Sequence, residues 1–433
     1  MNNSVYRTAS VLLALGAGVL ALCATAAMGQ RGEAAKGNAP SNAATPANAP
    51  IEPSKTLPPL RVYEWGVTTL HWDGTPEPEE ALPAAFYGAD RIPLEPPRNR
   101  GAKPEVRPAG TAKPRKPVIY VEHDLAAASR IVFDLDIRFP NGRVTWAYPL
   151  PSRRLDEASI QWDNVELVND ATAGHQGGTL PTAAKFPAGH WAETAREGST
   201  SSLLAAKEVE RYLFYEGEQF DLPELDLYLA PDGSIRLQNH GFEAVHDVRV
   251  NVSHGGAAHS HHVPLLAAAS AETPSEVILG EKTRADPRPP AGTLEKETVA
   301  AGLTAPQGRV FEAIWREELH GGSNTLSWQR GPRALERMAE IRLTLPAGMG
   351  SEVKRAGYVL ARRVDLSLQA ALDAHAARAA QGDAEAVAAL KQSGMAGAGA
   401  LRRLSRLPDL SLEARLALAK LLAQMAAPPP RGE

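Results

Sequence analysis

Every second residue from Ile131 to Phe139 is apolar (Ile131, Phe133, Leu135, Ile137, Phe139), and Asp134, Asp136 and Arg138 lie between them. A period of two belongs to a strand buried on one face. Asn141-Gly142 follows, a pair that supplies the positive φ angles of a tight hairpin turn, and Val144, Trp146 and Tyr148 carry the alternation back. The pattern predicts an antiparallel hairpin over Ser129 to Leu150, the clearest structural signal in the chain. The period recurs at Leu225, Leu227 and Leu229, at Ile235 and Leu237 after the turn Pro231-Asp232-Gly233, and at Val248, Val250 and Val252 after Asn239-His240-Gly241. Three strands joined by short turns predict a meander. Arg61 to Trp72, aromatic, β-branched and closed by Asp73-Gly74, reads as another strand.

Helical spacing comes late. Val310, Phe311, Ile314, Trp315 and Leu319 share one face, ended by Gly321-Gly322, with Glu312, Glu317 and Glu318 on the expected wet face. From Leu366 onward apolar residues recur three and four apart in segments split by Gly382-Asp383, Gly394 to Gly399 and Pro408-Asp409, which predicts short antiparallel helices. The fold class expected is mainly β: antiparallel β-sandwich-like domain or domains with a small C-terminal α-helical bundle.

Composition divides the chain further. Arg7 precedes an apolar run from Val11 to Ala27, with small residues at Ala24, Ala26, Ala27 and Gly29, so residues 1–29 read as a signal peptide. Retention of that segment as a membrane anchor is the alternative; Leu22 before Cys23 argues against a lipid-attachment site. Residues 30–59, rich in Ala, Pro and Asn, read as a disordered linker. A β domain follows over 60–266 with a Pro/Arg-rich loop at 88–117, then a linker-like segment at 267–306, a mixed α/β segment at 307–366 packing on the β domain, the helical bundle at 367–427 and a disordered tail at 428–433. The single cysteine, Cys23, leaves the mature chain with none, which excludes disulfides, thiolate nucleophiles and Cys-ligated metals. Export without disulfides fits a bacterial periplasm or cell surface.

Several phrases together resemble an uncharacterised family of exported bacterial proteins found notably in planctomycete-like lineages. They are Tyr63-Glu64-Trp65-Gly66, Lys116-Pro117-Val118-Ile119-Tyr120, Phe139-Pro140-Asn141-Gly142 leading to Tyr148-Pro149, and Leu213-Phe214-Tyr215 followed by Gly217. The stretch from Trp315-Arg316 to Arg355-Ala356-Gly357 and Arg363-Val364-Asp365 is similar to that family's C-terminal half. Glu216 stands where the family carries an arginine. The resemblance implies export and a β-rich architecture and contributes no mechanism.

Six of the twelve histidines lie between His240 and His262, and His254, His259, His261 and His262 occupy the glycine- and alanine-rich stretch SHGGAAHSHHVP, which reads as a loop. Imidazole ligates zinc, copper and nickel, so these four are the candidate metal ligands, although no carboxylate lies between Asp247 and Glu272. Zinc or another divalent transition metal is the one cofactor the residues allow. Glu64 and Asp73, beside aromatics, are the candidate catalytic carboxylates of a glycosidase-like site; alternation sets Glu64 on the face opposite Tyr63 and Trp65, which makes an outward carboxylate the plainer reading. Trp65 and Trp72 are candidate binding platforms, and core residues otherwise. Arg98, Arg100, Arg115 and Lys116 form a candidate basic strip for an anionic polymer. No aromatics interleave with it, which argues against single-stranded nucleic acid, and a net charge of -4 gives no global pull toward it. Serine-hydrolase elbows, Walker loops and dinucleotide fingerprints are absent. Two readings stand: a periplasmic or cell-surface binding module for an envelope polymer or partner protein, touching membrane only through an uncleaved N-terminal segment, or a metal-dependent or carboxylate-based hydrolase acting on polysaccharide.

Overall fold

The strand at the centre of the molecule is β1 (Leu57–His71), buried along most of its length on both faces. The computed structural model describes residues 57–75, 113–124, 130–169, 186, 188–205, 208–220, 222–270, 273–280 and 288–426. Residues 1–29, read above as a signal peptide, nearly all of the segment read as a linker, Arg98 and Arg100 lie outside the described residues. β1 lies within an eight-stranded sheet. Across that sheet the order is β13 (Ala257–Leu266), β12 (Val245–His254), β15 (Thr325–Arg330), β17 (Met349–Arg362), β1, β2 (Lys113–Glu122), β9 (Leu213–Gln219) and β4 (Gly142–Tyr148). β1 runs parallel to β17 and antiparallel to β2. A strand covered on both faces carries apolar residues at both parities, and so shows little alternation.

Its side chains reach three separate cores. Tyr63, Trp65 and Val67 pack on one face of the sheet with Trp191, Leu294, Phe311 and Trp315. The helices there are α1 (Trp191–Ala195), α2 (Thr293–Ala300) and α3 (Ala305–Gly321). On the other face Leu60 and Val62 join Phe133, Leu135, Ile137 and Trp162. Farther along that face, Leu70 and Trp72 join Leu237, Val250, Trp328 and Leu390.

Phe133, Leu135 and Ile137 lie on β3 (Ile131–Arg138) of a six-stranded sheet, with β16 (Glu340–Thr344) and β6 (Ser159–Asn169) on either side. Here the structure corrects the predicted hairpin. β3 and β4 both form, but β3 pairs with β16 and β6 while β4 pairs with β9 in the eight-stranded sheet. The stretch between them is a corner from sheet to sheet, fastened by Phe139 N–H to Ala158 O (2.8 Å) and Val144 N–H to Glu157 O (2.9 Å). Neither Asn141 nor Gly142 has positive φ. Gly142 is needed for space: a Cβ there would lie 2.2 Å from the Glu218 carbonyl oxygen.

The meander is likewise redrawn. β10 (Leu225–Leu229) and β11 (Ile235–Asn239) pair as predicted, but the third strand of their sheet is β14 (Ser275–Leu279), and β12 crosses to the large sheet. β14 and α2 thus give structure to the segment read as linker-like. Against β10 and β11 pack α5 (Gln369–Ala379), α6 (Ala384–Gln392), α7 (Gly394–Ser405) and α8 (Leu412–Met425), following α4 (Pro332–Met338). The chain is therefore mainly β, with mixed and antiparallel sheets and C-terminal helices. Among the described residues no helix is long and apolar enough to cross a membrane.

Candidate functional site

Glu64 does not face outward. It is 4% exposed and meets the Tyr215 hydroxyl and the Arg355 guanidinium, which also donates to Ala339 O at 2.7 Å. The outward reading fails because a second sheet covers that face of β1. Burial works against the charge on Arg355, but Glu64 and Tyr215 outweigh it and hold the guanidinium above its usual value; burial, then Glu64, holds the Tyr215 hydroxyl far above its own. Every polar partner of Glu64 is internal, as expected of a structural ion pair. Asp73 sits beyond the end of β1, accepting from Thr75 N–H (3.0 Å) and Oγ1 (2.7 Å) and lying 3.5 Å from Arg363 Nε. At about 3.3 Å per strand residue the two carboxylates are roughly 25–30 Å apart, too far for a glycosidase pair. Trp65 is fully buried in a T-shaped contact with Phe311 (centroids 5.6 Å), and Trp72 is 2% exposed, so both are core. Arg115 lies on β2 opposite Val67, next to Lys116 on the same strand.

The histidine stretch is not a loop. Ala257 to Leu266 form β13, an edge strand paired to β12 through the turn at Gly255-Gly256, both with positive φ. Alternation then divides the histidines. His259 and His261 pair in register with the core residues Val252 and Val250, and their rings stack with centroids 6.4 Å apart. His262 pairs with Arg249 on the helix-covered face. His254 lines a different cavity. The four candidates do not converge.

What converges on His262 are carboxylates from elsewhere. Its Nε2 lies 3.3 Å from Asp247 Oδ1, and donor atoms of Asp247, His262 and Glu297 all lie within 4.8 Å of one another. Among the described residues this is the one such group of three or more His, Cys, Asp or Glu. Asp247 has φ +50° at an irregularity of the β12–β15 register between His246 and Arg249. The break is legible in sequence: apolar spacing slips from two to three between Val245 and Val248. Glu297 comes from α2, whose N-terminus is fixed by Glu312, accepting from Gly292 N–H (2.6 Å) and Glu295 N–H (3.0 Å). Glu312, expected on the wet face of α3, is 8% exposed because it performs that capping. Arg249 and the Tyr358 hydroxyl (3.1 Å) hold Glu297 in turn; burial raises its pKa despite Arg249. Arg249, His262 and Glu297 border a cavity of about 550 Å³, which His261, Arg288 and His320 also line. His320 is 7% exposed and neither ring nitrogen has a hydrogen-bond partner. Burial, then Arg249 and Arg316, pulls its pKa down to about 4.

A second cavity, of about 690 Å³, lies along the edge of β10. Leu229, Ala230, Pro231, Leu366, Ala370, Leu404 and Leu407 give it a largely apolar wall, and Tyr228, Asp373 and Arg403 add polar groups. The Gln369 amide serves the exposed edge of β10: its Oε1 accepts from Leu229 N–H (2.5 Å) and its Nε2 donates to Leu229 O (2.7 Å). Arg403 bridges Asp226 (3.0 Å) and Asp373 (2.8 Å) and stacks 5.3 Å from the Tyr228 ring centroid.

No protein-family model matches the chain, and no curated protein matches it. Among solved structures it is similar to the Fcho1 Mu homology domain (Danio Rerio) with bound Eps15 peptide, at 9% identity over 71% of this chain and 96% of that one. The TM-score is 0.27, a level at which the likeness carries no argument.

Proposed function

We propose that the protein is an exported interaction module of the periplasm or cell surface, which takes an apolar side chain of an envelope partner protein into the cavity beside β10. The observation that carries this reading is the wall of that cavity: apolar residues from a strand, a turn and two helices, with Arg403 held by Asp373 and set against the Tyr228 ring among its polar groups, the usual make-up of a ligand pocket. The resemblance to an exported family and the N-terminal signal pattern support the location. The facing of the six- and eight-stranded sheets across one shared core is read as sandwich-like.

The carboxylate-based hydrolase loses support because Glu64 is internally paired and distant from Asp73. A metal-dependent hydrolase acting on polysaccharide keeps one specific support, the grouping of Asp247, His262 and Glu297.

The interaction reading is tested by placing a photo-crosslinking residue at Ala370, with Arg138 on the exposed outer sheet as control position. The expected result is an adduct with an envelope protein from position 370 alone, abolished by Leu404→Glu. Adducts that do not differ between the two positions would retire the reading.

A further inference from the structure

We infer that Asp247, His262 and Glu297 form a binding site for one divalent transition-metal ion, between the edge of the large sheet and α2. The inference goes beyond the interaction module proposed above and does not depend on it.

The three donors come from three elements, and Glu297 is held from behind by Arg249 and Tyr358. Asp247 projects from the β12 irregularity, His262 from the neighbouring edge strand and Glu297 from α2. Their donor atoms are already within the mutual spacing of a coordination shell. Arg249 and Tyr358 each engage one Glu297 oxygen, yet a carboxylate has about four lone-pair sites, so either oxygen can still face an ion while its other lone pair is hydrogen-bonded. Such outer partners orient ligands rather than replace them. Charge favours a cation: the carboxylates of Asp247 and Glu297 face one guanidinium, that of Arg249, and the other guanidinium of the cavity, Arg288, is engaged by Glu317. A nitrogen donor beside two oxygens selects a transition ion over calcium or magnesium, which prefer all-oxygen shells.

A second observation points to the same place. His320 lines this cavity, is nine-tenths buried and has no partner on either ring nitrogen. Buried imidazoles are rarely left unsatisfied. Three protein ligands leave a position for water, and a water held by the ion supplies the partner that His320 lacks.

The test is zinc titration of the full-length chain without an affinity tag, by calorimetry, after stripping with chelator. One ion per chain is expected, with affinity weakened about tenfold or more by Asp247→Asn and by Glu297→Gln, and unchanged in a His254→Ala, His259→Ala variant. Cobalt is expected to compete, and magnesium in large excess is not. Asp247→Asn carries the test if Glu297→Gln does not fold, since Asp247 is partly exposed and its neighbour His262 lies on an edge strand. Failure to saturate at one ion, or loss in the His254/His259 variant with Asp247→Asn unaffected, overturns the site; displacement by magnesium overturns the choice of ion.

Discussion

Glu64 and Glu297 make the same contact on opposite faces of the eight-stranded sheet. Each carboxylate, about nine-tenths or more buried, meets one arginine and one tyrosine hydroxyl: Arg355 and Tyr215 for Glu64, Arg249 and Tyr358 for Glu297. The first set is sealed between two sheets, where nothing further can approach. The second opens on a cavity and has Asp247 and His262 beside it. Identical pairing chemistry is thus structural in one place and ligand-capable in the other, and what separates them is the layer above. A sheet closes over Glu64; helices only partly close over Glu297.

The comparison predicts unequal costs. Glu64→Ala leaves Arg355 buried and unpaired and should cost about 3–5 kcal/mol in chemical denaturation. Glu297→Gln keeps an acceptor for Tyr358 and Arg249 at the wall of a cavity, and should cost about 1 kcal/mol. Equal losses would mean that the two sites are closed to the same degree. On the covered face of the smaller sheet, Phe133→Ala should cost about 3–5 kcal/mol, whereas Arg138→Ala, on its exposed face, should stay below about 1 kcal/mol. Asp134→Ala should fall between them, near 1 kcal/mol, because its carboxylate accepts from the N–H of Asn164, which has positive φ.

The cavity beside Glu297 also predicts a pH dependence. His320 is held neutral, with its pKa lowered from 6.5 to about 4, first by burial and then by neighbouring arginines. The unfolded chain takes up a proton below about 6.5 that the folded chain refuses, so the stability from this group is complete above that pH and is lost as pH falls toward 4. The melting temperature of wild type should therefore fall relative to that of His320→Leu between about pH 7 and about pH 4. A difference that stays constant would show that His320 titrates normally.

Strands, late helices and most turns were legible because their signals are local. β3, β4, β10 and β11 stand where alternation predicts them, and α3 and α5 to α8 follow their apolar spacing. Pairing was not legible, because partners are chosen by tertiary cover: the corner at Asn141-Gly142 looks like a hairpin until Ala158 and Glu157 supply its hydrogen bonds. Glu64 looked outward for the same reason, its partner Arg355 lying 291 residues away. Of the candidate metal ligands, His262 alone stands in the group, since a strand sends neighbouring histidines to opposite faces. Asp247 was marked by the broken apolar spacing after Val245, while Glu297, from a segment read as a linker, carried no signal.

One measurement bears most directly on the contrast between the sealed and the open glutamate: the shift in melting temperature of the full-length chain on adding zinc, compared among wild type, Tyr215→Phe and Glu297→Gln. Ligand that binds only the folded state raises its stability by mass action. An equal rise is expected for wild type and Tyr215→Phe, and little or none for Glu297→Gln. A rise that survives Glu297→Gln, or no rise in wild type, would contradict that contrast.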